Sequence, residues 1–179
     1  MSGGSRRGGL DRRGLMAGVA CLGLAACVPQ EKPGPRVARF RAVEVDTAPF
    51  AAKGVSAYAA RVADRLRLAA VTGFAGLVDP SDTGAPVLVL EVATVRLASY
   101  VGGRSHGGFG LGDSGGDVDD TMAGALVLRS AKGAAIDRRR HLVTTDAASS
   151  GDWRLPDNED RRLAALCRLY VEWAVREYR

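Results

Sequence analysis

Lysine is almost missing from this chain: of its 25 basic residues only Lys32, Lys53 and Lys132 are lysines, which leaves 22 arginines. Aromatic residues make up 6% of the 179 positions, and there are three cysteines and two histidines. No apolar run reaches the roughly 20 residues that a bilayer span needs, which excludes a polytopic membrane protein. The composition also excludes collagen and a coiled coil. Few aromatics and 23 glycines could describe a disordered chain, but 46% of the residues are apolar and they recur with helix and strand periods. A chain of this length folds around one core, so a single domain is expected.

What is present is most specific at the start. Residues 1–26 read as a signal peptide: a basic zone with Arg6, Arg7, Arg12 and Arg13, an apolar stretch from Leu15 to Leu24, then small residues. Leu24-Ala25-Ala26-Cys27 resembles the lipobox of bacterial lipoproteins, in which cleavage precedes a cysteine that carries a diacylglyceryl group. The resemblance implies acylation at Cys27, enough hydrocarbon for stable attachment at about 0.8 kcal/mol per buried CH₂. Arg12-Arg13-Gly14-Leu15-Met16 also looks like a twin-arginine export signal, so Sec and twin-arginine routes both stay open. Val28, where an Asp would retain such a protein at the inner membrane, implies the outer membrane, facing the periplasm. Residues 27–37, with Pro29, Pro33 and Pro35, read as a stiff extended tether.

Loss of the leader removes four arginines and Asp11, and formal charge drops from +5 to +2. Nucleic-acid binding then loses its electrostatic support, and none is expected. Cys21 leaves with the leader and Cys27 is acylated, so Cys167 stands alone without a disulfide partner.

Residues 38–179 read as one α+β domain. Alternation over residues 39–46 predicts a half-buried strand. From Ser56, Tyr58, Val62, Leu66 and Ala69 or Ala70 share a helical face, with Ser56 as N-cap and Gly73 as stop. Residues Val87 to Tyr100 predict a central strand, and Val118 to Arg129 and Ala135 to Thr145 a hairpin turning at Ser130-Ala131-Lys132-Gly133. A last helix opens over residues 156–160, with Leu163, Leu166, Cys167, Tyr170, Trp173 and Ala174 as its apolar stripe and Glu172–Arg176 as an i,i+4 pair. The order is β-α-β-β-β-α, a single sheet of about four strands with two helices packed on one face.

Chemical motifs are few. Gly112-Asp113-Ser114-Gly115-Gly116 matches the surroundings of the nucleophilic serine in chymotrypsin-like proteases, and a hydrolase reading would join Ser114 to His106 or His141. Neither histidine stands in that family's sequence context, and 153 residues are too few for two barrels, so no catalytic residue is assigned and the chain is read as a non-enzyme. Asp113, Asp117, Asp119 and Asp120 lack an EF-hand pattern and read as solvated acids beside a strand; no metal or cofactor is expected. The glycine-rich segment 102–117 reads as a long connection whose Arg104, His106 and Phe109 are candidate contact residues. In Arg138-Arg139-Arg140-His141, Arg138 and Arg140 share one strand face. Two readings stand for that run: a charge-protected sheet edge, or a patch for anionic lipid or an acidic partner. Cys167 reads as core.

Lipobox, tether and element order together resemble small Gram-negative envelope lipoproteins, among them the lipopolysaccharide-assembly LptE family. That resemblance implies a non-enzymatic accessory role beside another envelope protein. This chain opens with Cys27-Val28-Pro29 instead of that family's Cys-Gly-aromatic start, and no functional residue is carried over.

Overall fold

The structure, a computed structural model, describes residues 35–98, 119–152 and 154–179. The signal peptide, Cys27 and most of the tether lie outside the described residues, as do Arg104, His106, Phe109, Asp113, Ser114 and Asp117.

Four strands form one sheet in the order of the chain: β1 (Ala42–Asp46), β2 (Val87–Arg96), β3 (Asp119–Arg129) and β4 (Ala135–Asp146). β1 lies parallel to β2, and β2, β3 and β4 follow as an antiparallel meander. The parallel pair needs a crossover, which is supplied by α1 (Ala48–Ala51) and α2 (Ser56–Gly73). A 3-10 turn (Ala147–Ser150) leads out of β4 toward α3 (Asn158–Tyr178). The fold class is the expected one, α+β with both long helices on one face of four strands. The short α1 and the 3-10 turn are additions, too brief to show a helical period in sequence.

Alternation decides which face of each strand meets the helices. Leu88, Leu90 and Val92 of β2, Met122, Leu126 and Leu128 of β3, and Val143 of β4 pack with Val62, Leu66 and Ala70 of α2 and Leu163, Leu166, Tyr170 and Ala174 of α3. In β2 the phase then slips: the register with β3 shifts between Val92 and Thr94, so Val95 takes over the inward position. The opposite face carries a smaller cluster, Val87, Val89, Ala125 and Val127. Among the described residues no helix packs on that side.

Gly124 sets the seating of α3. A Cβ built there would lie 1.8 Å from the carbonyl oxygen of Glu91 and 2.9 Å from the Tyr170 hydroxyl. The missing side chain lets that hydroxyl cross β3 and donate to Glu91 O at 2.7 Å. Gly73 plays the same part between helices, since a Cβ on it would meet Val171 Cγ1 at 2.3 Å. Arg61 binds Asp160 at 2.8 Å near the other end, so α2 and α3 run parallel to each other.

Several local expectations need correction. Ser56 is the first residue of α2 rather than its cap: Val55 holds the cap position and no side chain caps it. Trp173 is 44% exposed and sits off the stripe that Tyr170, Val171 and Ala174 form. Asp120 is not a solvated acid; it is fully buried against Arg162. Arg162 Nε donates to Asp120 Oδ2 (2.8 Å), its Nη2 to Asp120 Oδ1 and to Ala98 O (2.9 Å), and Ala98 N donates to Asp120 Oδ1 (2.9 Å). The carboxylate raises the Arg162 pKa by accepting these bonds. The pair ties the first turn of α3 to the start of β3, with the remaining bonds on the segment after β2.

Gly124→Ala is expected to lower stability by more than about 3 kcal/mol, because the new methyl collides with backbone; a urea titration with an unchanged midpoint would contradict this seating. Asp120→Ala strands a buried guanidinium and should cost about 3–5 kcal/mol. Asp120→Leu combined with Arg162→Met should cost less than the two single changes added together, by a coupling of about 2 kcal/mol measured in a double-mutant cycle.

Candidate functional site: an arginine-rimmed helix groove

The residues singled out on β4 fall where alternation puts them, and the structure separates their roles. Arg138 and Arg140 point away from the helices, Arg139 and His141 toward them. Arg138 is not a free charge: its guanidinium reaches diagonally across β3 and donates to Glu91 Oε2 and Oε1 at 3.0 and 2.6 Å. That bidentate pair raises the Arg138 pKa. Arg140 is exposed and makes no ion pair among the described residues. β4 is an edge strand, so this run fits the charge-protected edge better than a ligand patch.

His141 is buried beneath α3. Its Nε2–H donates to the carbonyl of Tyr170 at 2.9 Å, and its ring stands edge-on to the Tyr170 ring, centroids 4.3 Å apart. Burial pulls its pKa below the ordinary value, only partly offset by that hydrogen bond. A nitrogen committed to a helix carbonyl under the core is poorly placed to serve as a general base. Cys167 is equally buried, and burial pushes its thiol up to about 12, which keeps it a packing residue. Among the described residues no cluster of His, Cys, Asp or Glu could hold a metal ion. No helix among them is long and apolar enough to cross a membrane.

A wide concave surface lies elsewhere among the described residues, on the outer side of the helix pair. Because α2 and α3 run parallel and Gly73 lets them approach closely, a continuous groove of about 1260 Å³ opens along them. This exceeds the roughly 300–1,000 Å³ of ordinary small-molecule sites. Its floor is apolar and small: Ala69, Ala164, Ala165, Val171 and Val175. Leu68, 63% exposed, stands on the α2 wall, and Val71, 75% exposed, is on the same helix. The rim carries Arg65, Arg161, Arg168, Arg176 and Arg179 against a single acid, Glu172.

These guanidiniums differ in how far they are committed. Arg176 pairs with Glu172 as the sequence spacing predicts. Arg65 reaches Asp160 at 3.7 Å, and Arg161 reaches Asp157 at 3.5 Å while its Nη2 donates to Asp152 O at 2.7 Å. Arg168 and Arg179 are exposed and make no ion pair among the described residues. At one end, Ser150 Oγ is shielded from solvent without a hydrogen-bond partner. Sequence reading missed this site because it lies on the polar faces of two amphipathic helices. Its trace in the sequence is the recurrence of Arg161, Arg168 and Arg176 about every two helical turns, with Ala164 and Ala165 between the first two.

Fold and groove together define a small α+β domain with an arginine-rimmed groove along its helix pair. No family model matches the chain, and no curated protein matches it. Among solved structures it is similar to a minor lipoprotein from Acinetobacter baumannii, at 13% identity and a TM-score of 0.41, over 76% of this chain and 85% of that one. The functional reading below rests on the residues of this chain.

The buried histidine has a measurable consequence. In the folded state its pKa is depressed, whereas the unfolded chain takes a proton near pH 6.5. Its contribution is therefore fully present above pH 6.5 and is lost as pH falls below that value toward the folded pKa. The melting temperature should drop between pH 7 and pH 5, and His141→Gln should flatten that slope; equal slopes in both proteins would refute the assignment.

Proposed function

We propose that this chain is a lipid-anchored lipoprotein of the bacterial cell envelope that acts by binding another envelope component, not by catalysis. The anchor is Cys27, and its support is the leader that ends Leu24-Ala25-Ala26-Cys27. The absence of Asp after that cysteine favours the outer membrane, facing the periplasm. An accessory role of the LptE kind, beside a larger envelope protein, is one form the function takes under this reading.

The observation that carries the binding role is the arginine-rimmed groove. Its lining is dominated by aliphatic side chains and guanidiniums, which bury surface and hold anions but do not exchange protons near neutral pH. The hydrolase alternative built on Ser114 loses support at His141, whose Nε2 is hydrogen-bonded inside the core. The alternative of an anionic-lipid patch on Arg138 and Arg140 loses support at Arg138, which is neutralised by Glu91.

Intact-mass analysis of the native membrane fraction tests the anchor. The wild type should begin at Cys27 and carry the added mass of acyl chains, and Cys27→Ser should lack that mass and leave the processed membrane pool. An unmodified wild-type chain in the soluble fraction would overturn this reading.

A further inference from the structure

We infer that the outer face of the α2–α3 pair lies against an anionic phospholipid surface, the leaflet to which the chain is tethered. The inference rests on the reading of the chain as membrane-anchored, and three features of the domain point to it independently.

The first is charge. The groove rim carries five arginines, distributed along the helices instead of gathered at one end; Arg65, Arg161 and Arg176 are paired with Asp160, Asp157 and Glu172. A single bound small anion would need one cluster; a row of phosphates calls for guanidiniums spaced along a surface. Arg168 and Arg179 are left without a carboxylate partner among the described residues.

The second is protruding aliphatic surface among these charges. Leu68 stands outward on the α2 wall at 63% exposure, and the floor between the rims is made of alanine and valine. Basic residues flanking exposed aliphatics on a helix face are the pattern of a surface that rests at the headgroup boundary, with arginine stems extended along apolar area and their charges at the phosphates.

The third is where the tether leaves the domain. Val37 N donates to Tyr178 O at 2.9 Å, so the chain enters the domain beside the C-terminal end of α3, next to Arg176 and Arg179. Nine residues lie between Cys27 and Val37, and the ten steps from one to the other can span at most about 33–36 Å. From Arg161 to Arg179 the groove runs about 27 Å at the helical rise of 1.5 Å per residue. A tether of that reach, attached at that end, allows the whole groove to lie on the bilayer that holds the anchor.

The experiment places a polarity-sensitive dye on Leu68→Cys in the full-length lipidated chain. Cys167 is buried with its thiol pKa near 12 and will not compete for the label. The protein is reconstituted into phosphatidylcholine vesicles and into vesicles of phosphatidylcholine and phosphatidylglycerol. A dye on Ile136→Cys, exposed on the far face of the sheet, serves as control. The expected result is a blue shift at position 68 only in the phosphatidylglycerol vesicles, at least tenfold weaker at high salt or in Arg168→Glu/Arg179→Glu, with no shift at position 136. An absent shift, or an equal shift in both lipids, overturns the inference. So does a shift at position 68 that requires an acidic envelope protein and not lipid, which would assign the groove to a protein partner. Flotation of the chain with both vesicle types reports the anchor separately. If flotation holds and the dye stays silent, the anchored reading survives and this inference falls; if flotation with phosphatidylcholine fails, the anchor falls and the dye alone decides the groove.

Discussion

Tyr170 holds this molecule together at a point where three strands and a helix meet. Its hydroxyl passes over Gly124 to the carbonyl of Glu91, its own carbonyl takes the proton of His141, and its ring packs against the imidazole. One side chain thus links α3 to β2, β3 and β4. The position of α3 on the sheet follows, and with it the position of α2, which is pressed against Val171 at Gly73. The groove on the far side of the two helices is the outward consequence of this inward packing. A buried tyrosine hydroxyl without its acceptor would cost about 1–3 kcal/mol, so the acceptor and the small residue that exposes it are constrained together.

The arginines divide by environment into three uses that composition could not separate. Arg162 is a core residue, stable there because Asp120 and Ala98 accept its protons in a planar fork. Arg138 braces the outer face of the sheet through Glu91, two strands away. Arg168 and Arg179 remain open to solvent. Lysine, a point charge on a flexible stem, could serve the last use but would fit the first two poorly.

Much of the fold was legible because its elements follow the periods that strands and amphipathic helices require. β2, β3, β4, α2 and α3 all appear within a few residues of where alternation and helical spacing put them, and the Ser130–Gly133 turn closes as its glycine at φ 86° demands. Illegible were features that depend on partners far away in sequence. Asp120 looked like one solvated acid among four, and only its neighbour 42 positions on reveals a buried ion pair. The bulge after Val92 broke the alternation that assigned β2 its faces. Trp173 reads as part of the helical stripe, yet it is 44% exposed at the stripe's margin, one position before the buried Ala174. The groove escaped notice because it is built from the residues that sequence patterns set aside as solvent-facing.

The parallel course of α2 and α3 carries one more consequence. Antiparallel helices oppose each other's dipoles, but here the two point the same way, each end worth roughly half a charge. Acidic residues gather at the shared amino end, where Glu159 and Asp160 bind Arg61. At the carboxyl end of α3, Arg176 and Arg179 lie in the field of that helix's last carbonyls. Arg179 needs no carboxylate to remain there, because the backbone itself supplies the counter-charge. The helix pair therefore behaves as a small bar magnet laid along the domain, its poles dressed by side chains of opposite sign.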